Sequence, residues 1–182
     1  QAPMATTIAN MSMSLDGFIA DPADGTDRLF AWYAHPNEAS TALLQDVGTN
    51  LKTILVGRRT FDIAGGWGGA HPLGVPVFVL THRPPDGWDD APFTFVTEGT
   101  ESAVSQARAA AGDGIVGISG ADVVQQCINA GLVDEIAIDL VPVLLGKGVS
   151  YFANIGTPTE LEGPRVIEGD GVTHLSYRLT PR

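Results

Sequence analysis

The 182-residue chain has a single cysteine, Cys127, so no internal disulfide can form and the core has to come from apolar burial alone. Basic residues are scarce as well: ten Lys and Arg stand against 21 Asp and Glu, giving a formal net charge of −11 and a pI near 4.5. Such a balance argues against nucleic acid as a partner, because that affinity rests on Lys and Arg meeting phosphates. No apolar run is long enough to span a membrane, and no charged-then-apolar leader is present. A cytoplasmic protein without a membrane partner is therefore expected. The four histidines are scattered, lacking the helical pairing or Cys partners of a metal site, and no metal is expected. No repeat, low-complexity segment or linker interrupts the chain, so residues 1–182 read as one domain.

What is present is organised around residues 114–147. A short apolar run (Ile115, Val116, Ile118) enters a small-residue turn at Ser119 and Gly120, then a helix-length segment, then a second apolar run from Ile136 to Leu140. That order is a βαβ unit. Val123, Val124, Cys127 and Ile128 share one helix face, as a helix covering a sheet requires, and Gly131 is placed to end it. Cys127 on that face reads as a small buried hydrophobe. The turn is the informative part. A helix leaving a buried strand offers unpaired N–H groups and its positive dipole end to any anion above the sheet edge.

The same order recurs elsewhere. Residues 7–13 alternate as a strand, residues 21–27 form a polar loop, and Asn37 caps a helix running to about Val47. Residues 51–56, 76–80 and 93–96 are further apolar strands, and residues 101–111 an alanine-rich helix. Residues 165–168 and 172–179 pair as a hairpin across Gly169-Asp170-Gly171. Strands alternating with helices predict an α/β three-layer sandwich, a mostly parallel mixed sheet closed by an antiparallel C-terminal hairpin.

Two familiar motifs fail on context. Gly112 to Gly117 fits G-x-G-x-x-G but enters a strand where the dinucleotide fingerprint must follow one, and Gly146-Lys147-Gly148 lacks the upstream glycine and the hydroxyl of a phosphate-binding loop. Gly117-Ile118-Ser119-Gly120-Ala121 nearly fits the nucleophile elbow of serine hydrolases, and Asp139 and His174 follow in hydrolase order. A serine hydrolase using Ser119 is one alternative.

Basic residues, few overall, cluster at strand ends. Gly57-Arg58-Arg59-Thr60 follows one strand and Thr81-His82-Arg83 the next. Strand ends of a parallel sheet share one edge, so these turns and the one at Ser119-Gly120 can converge on a single extended anion. A dinucleotide has that shape, and an arginine with a hydroxyl after a strand suits an adenosine 2′-phosphate, favouring NADP over NAD.

The ordered series of residues 13–20, Gly57 to Phe61, Val79 to Arg83, Ser119 through Gly131 to Glu135, and Pro142 to Gly146 resembles the dihydrofolate reductase fold. The branch it is most similar to holds the reductase domain of the bifunctional riboflavin-biosynthesis deaminase-reductase. The resemblance implies an NADPH-dependent reductase. Arg58, Arg59 and Thr60 would hold cofactor phosphates, and Thr81, His82 and Arg83 the 2′-phosphate end. Gly120, Ala121, Asp122 and Val123 would offer backbone N–H groups to the pyrophosphate, and Met11, Ser12, Ile19 and Ala20 would flank the nicotinamide. The family usually shows Gly-Gly where this chain has Ser119-Gly120. No zinc signature of a deaminase is present, so a free-standing reductase is implied, with a homodimer suggested and the apolar terminal hairpin as its contact.

Hydride transfer needs a proton source. Asp16, beside the expected nicotinamide strand, and Asp27, ahead of an aromatic segment, are the two candidates for catalysis. Asp16 would also lie near the substrate, and Trp67, in a glycine-rich loop, would stack on a flat substrate ring. The substrate itself would be a small heterocycle, pyrimidine- or pterin-like. A non-catalytic NADP-binding protein is the remaining alternative.

Overall fold

Six short apolar runs, each followed by a turn, become six mutually parallel strands in the computed structural model, which describes residues 4–89 and 91–180. In chain order the elements are β1 (Thr6–Ser14), β2 (Phe18–Ala20), α1 (Asp27–Phe30), a 3-10 turn (Ala31–Ala34), α2 (Glu38–Asn50), β3 (Leu51–Gly57) and α3 (Arg58–Ile63). A glycine-rich 3-10 turn (Gly65–Gly69), β4 (Val77–Leu80), β5 (Phe93–Val96), α4 (Thr100–Ala111), β6 (Ile115–Ser119), α5 (Ala121–Asn129) and β7 (Glu135–Val141) come next. The chain closes with β8 (Val149–Ser150), β9 (Leu161–Glu168) and β10 (Thr173–Leu179). Sheet order is β5-β4-β3-β6-β1-β7-β10-β9, with β10 antiparallel to both its neighbours, while β2 and β8 pair apart from it. The three-layer arrangement and the closing hairpin are those the sequence predicts.

Boundaries differ where local pattern was weak. β9 begins at Leu161, four residues before the expected start, and runs through Pro164. A proline is tolerated there because β9 is an edge strand and has no partner on its outer side. The Asn37 side chain accepts from Ser40 N at 2.9 Å, as a cap should, and α2 continues to Asn50.

One face of the sheet is sealed. Ala9, Leu55, Ile118 and Ile138 are buried beneath α4, α5 and the Tyr151 segment. α5 turns Val123, Val124, Cys127 and Ile128 onto that face, the valines and the isoleucine each worth roughly 1.5–3 kcal/mol when removed from water. Burial pushes the Cys127 thiol up to about 12, which suits packing and not nucleophilic chemistry. Gly131, at φ +72°, ends the helix, with Leu132 N donating back to Cys127 O at 2.9 Å.

The other face is covered only at its two ends. Phe61 and Phe93 pack over Ile54, Val56 and Val79 on one side, while Leu29 and Trp32 pack against Val141 and Val172 on the other. Between them a trough is left over the central strands. Asn10 is exposed in mid-strand, and Ile8, Gly117, Ser119 and Ala137 around it are only partly buried, although their alternate neighbours Ala9, Ile118 and Ile138 are sealed. A central strand exposing one face in this way leaves room for a flat ligand.

Candidate functional site

The C-terminal ends of β1, β3, β4 and β6 share one rim, and a groove of about 700 Å³ runs along it. From β3 and α3 come Gly57, Arg58, Arg59 and Thr60; from the end of β4, Thr81, His82 and Arg83. Gly120, Ala121, Asp122 and Val123 edge it at the start of α5, while Met11, Ile19 and Ala20 form an apolar wall at the far end. Fourteen of the sixteen residues expected around a cofactor thus line one groove. The other two, Ser12 and Ser119, face the opposite side of their strands. The trough and the groove meet at the end of β6, where Ser119 belongs to the first and Gly120 to the second.

Gly120 is held at φ +108°, and a Cβ there would meet Thr60 Oγ1 at 2.7 Å. Only glycine lets the start of α5 close onto α3, which keeps both turns on the groove. Gly120→Ala is expected to lower stability by about 1–3 kcal/mol, measured as a fall in urea midpoint at unchanged m.

The basic residues are not equally free. Arg58 Nε lies 2.9 Å from Asp62 Oδ1, and its Nη1 donates to the Arg83 carbonyl at 2.6 Å, so it ties the β3 turn to the β4 turn. Arg59 Nη2 contacts both oxygens of Asp24, at 2.8 and 3.0 Å. Arg83 and His82 enter none of the ion pairs among the described residues and leave their donors to the groove.

The rim extends further than the sequence reading took it. Thr97, Gly99 and Thr100 follow β5 and line the same groove, with Thr100 Oγ1 donating to Gln126 Oε1 at 2.9 Å. The rule that found the earlier strand-end turns, applied once more to β5, finds these. Asp24 and Thr26 also line it, and no local signal marks them.

Asp16, Asp27 and Trp67 lie outside the groove lining. Asp16 is exposed and absent from the groove lining; its carboxylate accepts from Ser14 Oγ at 2.5 Å, Gly146 N at 2.7 Å and Leu145 N at 3.1 Å. The Ser14 bond leads in holding its carboxyl below the usual range, which suits a clamp between two loops better than a proton donor. Asp27 is exposed in the first turn of α1, also off the groove. Trp67 meets Phe61 edge-on at 6.2 Å and His71 at 4.8 Å, so it packs as part of the core cluster.

Asp139 and His174 do come together, but not with Ser119. His174 Nδ1 lies 2.7 Å from Asp139 Oδ1, and His174 Nε2 lies 2.7 Å from Ser40 Oγ, all three residues being buried. Trp32 sits edge-on to the imidazole at 5.0 Å and donates to Ser12 Oγ at 3.1 Å. Ser119 lies on β6 beside Val56, away from this chain of bonds. The hydrolase alternative loses its base, since among the described residues the hydroxyl bonded to His174 is that of Ser40, sealed in the core.

A model of the RibD C-terminal domain matches residues 5–174. The chain belongs to that family. Among curated proteins, the chain is 25% identical over 155 residues to the uncharacterized protein YwjB of Bacillus subtilis, covering 85% of this chain and 87% of that one. It is 27% identical over 163 residues to the uncharacterized protein YyaP of the same organism, covering 81% and 80%. Among solved structures, a Shewanella sp. PV-4 protein with a provisional riboflavin-biosynthesis assignment superposes with a TM-score of 0.75 at 25% identity, covering 96% of this chain and 99% of that one. Dihydrofolate reductase from Enterococcus faecalis, solved with NADP(H), superposes at 0.63 with 16% identity, covering 98% and 99%. RibD of Acinetobacter baumannii superposes at 0.68 with 15% identity over 97% of this chain but 58% of its own. The fold of the chain is dihydrofolate reductase-like.

Proposed function

We propose that this protein is an NADPH-dependent reductase of a small heterocycle, pyrimidine- or pterin-like, acting in the cytoplasm. The observation that carries the reading is the convergence of strand-end turns on one groove whose Arg83 and His82 are uncommitted, in a molecule with net charge −11. A site of that length, with cationic and hydroxyl side chains at one end and an apolar wall at the other, fits a dinucleotide. The Enterococcus dihydrofolate reductase, solved with NADP(H), lends the same support from its own contents.

The bound cofactor would supply the hydride. The chain's own residues do the rest. Arg83 and His82 hold the 2′-phosphate, and Arg58 and Thr81 brace that turn. The α5 amides from Ala121 to Val123 face the pyrophosphate, where the dipole of a nine-residue helix already favours an anion. Met11, Ile19 and Ala20 exclude water beside the nicotinamide. The flat substrate would sit where the trough meets the groove at the end of β6, within reach of the nicotinamide, and Asn10, whose Nδ2 donates to Ala137 O at 2.9 Å, would leave its carbonyl oxygen for the substrate's polar edge. We also read β9 as a homodimer contact, since Leu161 and Val166 stand 41% and 51% exposed on the sheet edge.

Mixing the protein with NADPH and a panel of oxidised pyrimidines and pterins tests this directly. Loss of nicotinamide absorbance with matching reduced product supports the reading. Absence of oxidation across the panel, joined to absence of NADPH binding, ends it.

A further inference from the structure

The Asp24–Arg59 pair is not explained by stability. It is an exposed ion pair, with Arg59 71% and Asp24 30% accessible, of the kind that contributes little to folding. Nor does the loop need it to keep its shape. Asp21 does that work: its Oδ1 accepts from Ala23 N and Gly25 N, both at 2.8 Å, and its own N–H donates to Gly25 O at 2.9 Å. Gly25 is a glycine because a Cβ there would strike the Asp21 carboxylate. Asp24 sits at the apex of this self-supported turn at φ +63°, in the left-handed region that side chains other than Asn, Asp and Gly avoid. The turn therefore holds a groove-lining carboxylate on Nη2 of Arg59, a donor for which a phosphate arriving there would compete.

We propose that Asp24 is a built-in rival for the phosphate at Arg59, and that it sets how tightly and how fast the groove accepts a phosphorylated ligand. The inference rests on the groove being a cofactor site. A phosphate on Arg59 Nη2 would bring two like charges together, so a phosphate takes that donor only as Asp24 turns away. Asp24 is thus a specificity-determining residue in an acidic molecule that would otherwise offer Arg59 to any small anion.

The test is calorimetric titration of NADPH, and separately of inorganic pyrophosphate, into the wild type, Asp24→Asn, Arg59→Ala and the double variant. Asparagine keeps the size and tolerates the left-handed backbone while removing the charge. Asp24→Asn is expected to tighten NADPH by about three- to tenfold, the equivalent of one exposed ion pair plus the lifted repulsion. That gain is expected to vanish in the Arg59→Ala background and to shrink in high salt. Unchanged or weaker binding by Asp24→Asn, for both ligands, overturns the proposal. If the wild type and its variants ignore NADPH while Asp24→Asn still gains pyrophosphate affinity through Arg59, the rivalry stands and the cofactor reading falls.

Discussion

Asp139→Ala is expected to destabilise the fold by about 3–5 kcal/mol, the cost of an orphaned buried donor added to that of the cavity left behind. For a domain of this size that is a fall in Tm of roughly 6–20 °C. The cost comes from what the carboxylate leaves behind. An ionised carboxylate only accepts, so His174 presents Nδ1–H to Asp139 and takes the Ser40 hydroxyl at Nε2. Without Asp139 that N–H has no partner in a site sealed by Trp32, and a void opens beside it. Asp139→Asn is expected to lose much less, because its carbonyl oxygen still accepts from His174. The pH dependence has a definite sign. Burial holds the Asp139 carboxyl above the usual range, with the His174 bond pulling it part of the way back. The folded chain keeps this proton where the unfolded chain has released it. The contribution is full below the unfolded pKa and declines as pH climbs through the raised folded value. Urea melts at a series of pH values should therefore find the advantage of wild type over Asp139→Asn largest in acid and shrinking upward.

Arg83→Ala is expected to weaken NADPH binding by about 1.5–3 kcal/mol, or roughly 10- to 150-fold, while NADH binding changes little. The asymmetry follows from where the charge is aimed. Arg83 enters no ion pair among the described residues, and its side chain lines the groove beside Thr97 and Thr100 at the end away from Met11. A guanidinium there discriminates by the 2′-phosphate alone. Arg58→Ala should behave differently. Arg58 spends its donors on Asp62, Thr81 and the Arg83 carbonyl, so its loss releases the β4 turn and weakens both dinucleotides together. Competition binding with the two cofactors separates these patterns.

Local signals account for what could be read beforehand. The period of apolar residues located the strands, small residues marked the turns at their ends, and parallel topology forced those turns onto one rim. Gly120, Arg83 and the α5 face all follow from segments of a dozen residues or fewer. What stayed hidden depends on distance along the chain. Ser40 and His174 are 134 residues apart and meet only because the start of α2 is set against the C-terminal hairpin, so the pairing of His174 with Ser40 and not Ser119 has no local trace. Asp16 looked catalytic from its neighbours, yet its partners at Leu145 and Gly146 lie about 130 residues away and make it a loop clamp. Trp67 looked like a stacking platform because glycines surround it; those glycines let the chain take positive φ through Gly66, Trp67 and Gly68 and tuck the ring against Phe61.

The central claim is that a phosphorylated nicotinamide dinucleotide occupies the rim groove. Calorimetric titration of the wild-type chain with NADPH and then NADH addresses it most directly. Saturable one-to-one binding of NADPH, at least tenfold tighter than NADH, is the predicted result. Equal affinity for the two, or heat from neither, would contradict it.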